Sequence, residues 1–262
     1  MRPGSLSGAR QFARFRAILI LMMYVMDDER VLYEDNHLII VNKLSSEIVQ
    51  GDKTGDTTLA ESVQAYIKKR DGKAGNVFIG ITHRLDRPTS GIVIFAKTSK
   101  GLSRMNKLFR EQGVSKSYWA VLQKAPPEEE GRFEDYLWRD KRKNRSYVGE
   151  KGKKDAKRAA LSYKVLCRSE NYTLAEIDLE TGRHHQIRAQ FSARGCAIKG
   201  DLKYGAKRSN PGGGIHLHAR RVRFIHPVKG EPVEVTAPVP KDDILWQDLE
   251  QTVEKGESRS IE

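Results

Sequence analysis

The sequence predicts an α+β fold, with a largely antiparallel or mixed central β-sheet flanked by helices and loops. Three observations carry this. From residue 31 onward, short runs rich in Val, Ile and Leu recur, most of them bounded by Gly, Asn, Asp or Ser. Helical periodicity is confined to a few segments, so strands do not alternate with regular crossover helices as a doubly wound sheet requires. No repeat of fixed period and no low-complexity linker interrupts the pattern.

The elements follow in order. Residues 30–34 and 38–42 bracket Asp35-Asn36 and read as a hairpin, because those two side chains favour tight turns. Residues 59–69 place Leu59, Val63, Tyr66 and Ile67 at helical spacing. Short buried strands are expected at 77–81 and at 92–96, the latter opening after Gly91. Residues 100–112 read as a helix with Leu102, Met105, Leu108 and Phe109 on one face, stopped by Gly113. Further strands are expected at 117–123, 161–167, 172–179, 220–225 and 233–236. A helix over 184–194 would bury Ile187 and Phe191. Residues 26–240 therefore form one catalytic-sized domain, and 241–262 an appended short helix (Ile244, Leu245, Leu249) with a polar tail.

The first 25 residues stand apart. Arg2, Arg10, Arg14 and Arg16 precede an apolar run over 17–25 that resembles part of a secretory signal. The run is shorter than the roughly 20 residues a bilayer span needs, and no small-x-small cleavage site follows it. It reads as an N-terminal extension of a domain that begins at Met26.

Composition narrows the partner. With 38% hydrophobic and 31% charged residues the chain fits a globular protein rather than a disordered one. A net charge of +13 favours an anionic partner, and nucleic acid is the commonest, since Lys and Arg gain affinity by releasing counterions from phosphates. An anionic membrane surface is the competing reading from charge alone. Cys167 and Cys196 lie far apart without CxxC pairing, which speaks against a disulfide framework and for a cytoplasmic location, each cysteine being a small core residue. Within 139–158, ten Lys or Arg face only Asp140, Glu150 and Asp155, a net of +7. This stretch reads as a loop, either merely solvated or tracking phosphates with Lys151, Lys153 and Lys154.

Two constellations could carry chemistry. In Thr82-His83-Arg84-Leu85-Asp86-Arg87-Pro88-Thr89-Ser90-Gly91 one carboxylate lies between two arginines on a strand-to-strand connection. Those guanidinium groups favour an ionised Asp86, able to act as nucleophile, base or metal ligand. A salt-bridged turn capped through Thr89 and Ser90 is the commoner outcome of such a pattern, and the residues alone leave both readings open. In Glu180-Thr181-Gly182-Arg183-His184-His185-Gln186-Ile187-Arg188, Gly182 allows a sharp exit from a strand, and the helix that follows would present N–H groups to an anion. His184 and Arg188, four apart, would share a face. These histidines with His216 and His218 invite a zinc reading, but no Cys or carboxylate stands at ligand spacing, and no metal is expected. Two smaller motifs are Gly200-Asp201-Leu202-Lys203-Tyr204-Gly205, with a structural Asp, and Ser117-Tyr118-Trp119-Ala120, with Trp119 in the core and Tyr118 on the opposite face.

Taken in order, His83-Arg84-Leu85-Asp86 with Thr89-Ser90-Gly91, Ala96-Lys97-Thr98, Lys116-Ser117-Tyr118-Trp119-Ala120, Thr181 to Arg188, and Gly200-Asp201 with Tyr204-Gly205 resemble the RluA-type RNA pseudouridine synthases over roughly residues 31–238. The resemblance implies an isomerase that turns uridine of large-subunit ribosomal RNA or transfer RNA into pseudouridine without a cofactor. It implies catalytic roles for Asp86, Tyr118 and Arg188: Asp86 attacks C1′ or removes the C2′ proton, Tyr118 lies against the uracil as base for the C5 proton, and Arg188 pairs with Asp86. Arg84 would help extrude the nucleotide and Ile187 would pack on the ring. His83 and Thr89 would shape the loop, and Arg183 would belong with the substrate-binding residues. One departure is Leu44-Ser45-Ser46-Glu47 after Asn42-Lys43, where the family has a Pro-x-Gly turn. Many relatives also carry a separate N-terminal RNA-binding domain for which there is no room here, so affinity is expected from the catalytic domain itself, acting as a monomer. A non-catalytic RNA-binding factor and a metal-dependent nuclease are the two competing classes.

Overall fold

The computed structural model describes residues 26–256 apart from Lys53, so the extension over 1–25 and the end of the tail lie outside the described residues. Strands β1 (Val31–Glu34) and β2 (Leu38–Lys43) form the expected hairpin. The Asp35 carboxylate closes it by accepting from the backbone N–H groups of His37 and Leu38 at 2.7 and 2.8 Å. Helix α1 (Leu59–Arg70) starts at a reciprocal capping box between Thr58 and Glu61 and buries Leu59, Val63 and Ile67. The strand expected over 77–81 shrinks to β3 (Gly80–Ile81), followed by β4 (Ser90–Ala96), which is buried throughout.

Helix α2 (Ser99–Arg110) ends differently from the expectation for Gly113. Gln112 takes the left-handed conformation (φ 58°), while the Gly113 and Gln112 N–H groups bond Leu108 and Phe109 carbonyls at 2.9 and 3.3 Å. Gly113 is needed for space instead: a Cβ there would lie 2.5 Å from the Leu108 side chain.

The remaining elements are β5 (Val114–Leu122), β6 (Glu130–Asp140), β7 (Arg145–Gly149), β8 (Lys157–Arg168), β9 (Thr173–Leu179), α3 (Gln186–Ala193), β10 (Leu217–Ile225), β11 (Pro232–Thr236) and α4 (Ile244–Glu254). The basic stretch 139–158 is therefore not a loop. It spans the end of β6, a tight turn, β7, and a second connection into β8. Strand β6 buries only Phe133 and Leu137 among charged neighbours, so it lacks the alternating apolar signal that marks a strand in sequence.

All strands join one mixed sheet in the order β1-β2-β4-β10-β5-β9-β8-β6-β7, with β11 on β10 and β3 on β4. Every pairing between named strands is antiparallel except that of β4 with β10, a two-residue parallel seam at Ser90–His218 and Gly91–Ala219. Gly91 (φ 108°) is dictated by this seam, because a Cβ would fall 2.4 Å from the Ala219 carbonyl oxygen. On one side of the seam α1 covers Ile39, Val41, Val93 and Phe95, while α2 covers Leu38, Ile40, Ile92 and Ile94 on the opposite face. On the other side α3 inserts Ile187 and Phe191 beneath β5, β8 and β9. Helix α4 packs Trp246 and Leu249 against Trp119, Val121 and Leu174. Of the three residues expected to anchor α4, Leu249 is buried whereas Ile244 is 76% exposed.

Candidate active site at the seam

Residues 82–89 lead from β3 to β4 and bring Asp86 to the seam. Their backbone is pinned from below. Lys43, at the end of β2 and fully buried, donates its three ammonium hydrogens to the carbonyls of Leu44 (2.9 Å), Arg87 (3.0 Å) and Thr89 (2.6 Å). Ser46 N–H also bonds the Arg87 carbonyl at 2.8 Å, and Ile215 N–H bonds that of Pro88 at 3.0 Å. The departure at 44–47 does not abolish the turn. Ser46 itself adopts φ 75°, the conformation that favours glycine, and its hydroxyl bonds the Gly212 carbonyl at 2.9 Å.

Burial pushes the Lys43 ammonium down to about 7 against the opposing charges of Glu47 and Asp86. An unfolded lysine titrates near 10.5, so between about pH 7 and 10.5 the unfolded chain holds a proton that the folded chain has released. Stability attributable to Lys43 therefore rises with pH through that window, by up to about 1.4 kcal/mol per pH unit, and its cost is complete below pH 7. Urea midpoints of the parent minus those of Lys43→Met should climb from pH 7 to 10. A flat difference would mean that Lys43 stays charged in the fold.

The two arginines beside Asp86 in sequence do not pair with it. Arg87 turns away to Asp56 (2.7 Å) and Asp52 (3.1 Å), and the exposed Arg84 reaches Gln50 at 3.2 Å. The guanidinium on Asp86 is that of Arg188, whose Nη1 donates to Oδ2 at 2.9 Å. Arg188 is in turn held by Asp201, which accepts from Nε at 2.6 Å and from Nη2 at 2.9 Å and is almost completely buried. Burial would lower the Arg188 guanidinium, but Asp201 and Asp86 outweigh it and hold the group above its ordinary value.

The tandem histidines serve this cluster rather than the helix. His184 precedes α3 and shares no helical face with Arg188; its Nδ1 lies 2.9 Å from the Ser146 hydroxyl. His185 (φ 54°) sits at the N-cap with its Nδ1 2.9 Å from the Tyr204 hydroxyl and its Nε2 3.4 Å from Asp86. Burial and the Arg188 charge push His185 down to about 2, so its approach to Asp86 is that of a neutral imidazole. The N-terminus of α3 carries no side-chain cap, and the Gln186 N–H bonds the Arg183 carbonyl at 3.1 Å. The Gln186 side chain takes the Arg183 N–H at 3.0 Å and the Thr181 hydroxyl at 2.8 Å. His216 and His218 lie elsewhere, on Asn210 and Asp243, and on Ser90. Among the described residues no group of three or more His, Cys, Asp or Glu is placed to hold a metal ion.

Above Asp86 opens a cleft of about 160 Å³, well under the roughly 300–1,000 Å³ of drug-sized sites, and thus scaled to one small ring. Asp86, Tyr118, Ile187, Arg188 and Leu217 line it, with His83, Arg84 and Arg183 around them. Burial, then the Asp86 charge, raises the Tyr118 phenol above its ordinary value. Burial pushes His83 down to about 3, and its Nε2 accepts from the Ile94 N–H at 3.0 Å, fixing the loop to β4. Thr89 lines the same cleft, its buried hydroxyl without a partner among the described residues. Of the predicted site residues only Lys151, Lys153 and Lys154 are absent from this cleft. They are exposed in the β7–β8 connection, where Lys153 sits 3.6 Å over the Trp138 ring. Sequence reasoning did not place Asp201 on Arg188, Tyr204 on His185, or Lys116 at the cleft. The alternation of β5 places Lys116 on the face of Tyr118 and could have flagged it. Nothing in the sequence ties Asp201 to Arg188.

A mixed sheet thus carries at its seam a carboxylate–guanidinium–carboxylate chain beneath a small cleft. A profile of the RNA pseudouridylate synthase family matches residues 37–193. An uncharacterized RNA pseudouridine synthase of Bacillus subtilis is 34% identical over 218 residues, covering 82% of this chain and 70% of that protein. Ribosomal large subunit pseudouridine synthase D of Zymomonas mobilis is 30% identical over 222 residues, covering 81% and 69%. Among solved structures, human RNA pseudouridylate synthase domain containing 4 superposes with a TM-score of 0.70 at 21% identity, over 92% of this chain and 98% of that one, which shows the shared fold. The chain belongs to the RNA pseudouridylate synthase family, and is an isomerase acting on RNA.

Proposed function

We propose that this enzyme isomerises uridine in large-subunit ribosomal RNA, with transfer RNA as the alternative substrate, using Asp86 as its catalytic carboxylate and no cofactor. The observation that carries the reading is the Asp86 carboxylate held by Arg188 at a cleft scaled to one ring. Several relatives, the Zymomonas protein among them, are named as large-subunit synthases, which favours ribosomal RNA. In the reaction the N1–C1′ bond breaks and the base turns; Asp86 either bonds C1′ and is displaced when C5 joins C1′, or takes the C2′ proton and returns it to C2′ as the C5–C1′ bond forms. The proton lost from C5 is balanced by one gained at N1. Tyr118 is the proposed acceptor of the C5 proton. Because its phenol is raised and neutral, it must pass its own proton on as it takes the new one. Arg84, exposed at the rim and held only by Gln50, would exchange that contact to fill the place of the extruded nucleotide, and Ile187 offers an apolar wall to the ring.

The test is tritium release from RNA labelled at uridine C5, with EDTA present. Release with an intact strand is expected. Binding without release would make the chain an RNA-binding factor, and strand cleavage abolished by EDTA would make it a nuclease.

The β6–β7 hairpin and the connection after it supply the basic surface for the phosphate backbone. Lys153 is engaged on Trp138, so Lys151 and Lys154 are the informative pair. Replacing both by alanine should weaken RNA binding and reduce the slope of log K against log salt by about 0.7–0.9 for each phosphate that is no longer neutralised. An unchanged slope would leave the connection as plain solvated surface.

A further inference from the structure

Side chains alternate along β5, so Lys116 emerges on the same face as Tyr118, and both line the Asp86 cleft. Lys116 differs from the other sheltered lysines of the molecule. Lys43 has three carbonyls, Lys97 has Glu34, and Lys199 has Asn210. Lys116 is half-buried and has neither an ion pair nor a hydrogen bond among the described residues. Its ammonium lies 5.8 Å from the centre of the Phe109 ring. A Cβ at Gly182 would stand 3.5 Å from Nζ, so glycine leaves the space beside the ammonium open. Burial lowers the ammonium from its ordinary value with no carboxylate opposing the shift. A sheltered cation without an acceptor is costly, and the cost is offset once a ligand oxygen completes the site.

We propose that Lys116 is a catalytic group of this site: its ammonium takes a carbonyl oxygen of the target uracil and stabilises the anion formed when the glycosidic bond breaks. The inference rests on the pseudouridine reading above. When N1 leaves C1′ it keeps the bonding pair, and the negative charge spreads to the uracil oxygens while Asp86 satisfies the sugar. Lys116 keeps its proton throughout. When C5 returns to C1′ the pair goes into the new bond and the charge is discharged. Fixed charge aimed where charge develops, in a cleft that the bound ring fills, lowers the barrier without reorganisation.

Single-turnover rates of N1–C1′ cleavage at saturating RNA, followed as loss of the target nucleoside in digests of the RNA, test this for both uridine and a base with no C5 proton. Lys116→Met should lose about 10²–10³-fold in rate, far more than any accompanying change in Kd for RNA. Lys116→Arg, which keeps a cation, should recover part of the loss. A substrate with 5-fluorouridine at the target should show a loss at least about tenfold smaller, because fluorine makes the base a better-stabilised anion that needs less help. Lys116→Gln, read the same way, serves if the Met variant fails to fold. A full rate for either variant overturns the proposal. So does an equal loss with uridine and 5-fluorouridine, which is the mark of a structural role. A loss confined to Kd, with a smaller salt slope, overturns it in favour of a phosphate-binding role. Asp86→Asn is run alongside. If that variant is dead while Lys116→Met is fully active, only the Lys116 assignment falls; an active Asp86→Asn removes the pseudouridine reading itself.

Discussion

Asp86→Asn is expected to bind RNA as the parent does and to release tritium at least about 10⁴-fold more slowly. Asparagine matches aspartate in shape and keeps a carbonyl oxygen for Arg188 Nη1, which donates to Asp86 across 2.9 Å. The loop is independently fixed by Lys43, Ser46 and Ile215 through the carbonyls of Arg87, Pro88 and Thr89, so the exchange leaves the cleft in place. What disappears is the negative oxygen that attacks C1′ or accepts the C2′ proton. An amide can do neither at a useful rate. Turnover of this variant near the parental rate would sink the assignment, and lost RNA binding would show that Asp86 serves the substrate site instead.

The second large effect concerns Arg188, which ties the exposed edge of the site to its buried base. Arg188→Leu should destabilise the fold by about 3–5 kcal/mol, because Asp201, with 1% of its side chain exposed, then keeps a buried charge without its partner. The double variant Arg188→Leu/Asp201→Leu should regain most of that stability, since an apolar pair of similar volume replaces the ions. Activity should not return with it, because Asp86 still lacks the guanidinium that orients it. Denaturant midpoints read the first quantity and tritium release the second. Recovery of both together would reduce Arg188 to a structural residue.

Much of this fold is legible where burial and turn chemistry agree. The β1–β2 hairpin follows from Asp35, and α1 from Thr58, Glu61 and a helical row of Leu59, Val63 and Ile67. Strands β6 and β7 were illegible for a physical reason: they form one end of the sheet, bury few side chains, and are specified by backbone pairing, β6 with β8 and β7 with β6. The site divides in the same way. Asp86, Tyr118, Ile187 and Arg188 sit in motifs dense enough to betray a family, and they line one cleft. The neighbours in sequence misled, since Arg84 and Arg87 face outward while the partner of Asp86 comes from 102 residues away. No local pattern encodes an interaction of that range. Asp201 illustrates the limit: a Gly-flanked aspartate reads as a turn, and only its position behind Arg188 gives it a part in the site.

The two-residue parallel seam between β4 and β10 has a kinetic meaning. Asp86 is delivered by the chain on one side of it, and Tyr118 and Arg188 by the chain on the other. Each side can assemble its helices and hairpins from interactions nearer in sequence, but the Asp86–Arg188 pair closes a loop of about a hundred residues and forms only when the two sides dock. Regained turnover in a refolding experiment should therefore trail the recovery of secondary structure, making enzymatic activity the most stringent clock for completion of the native state.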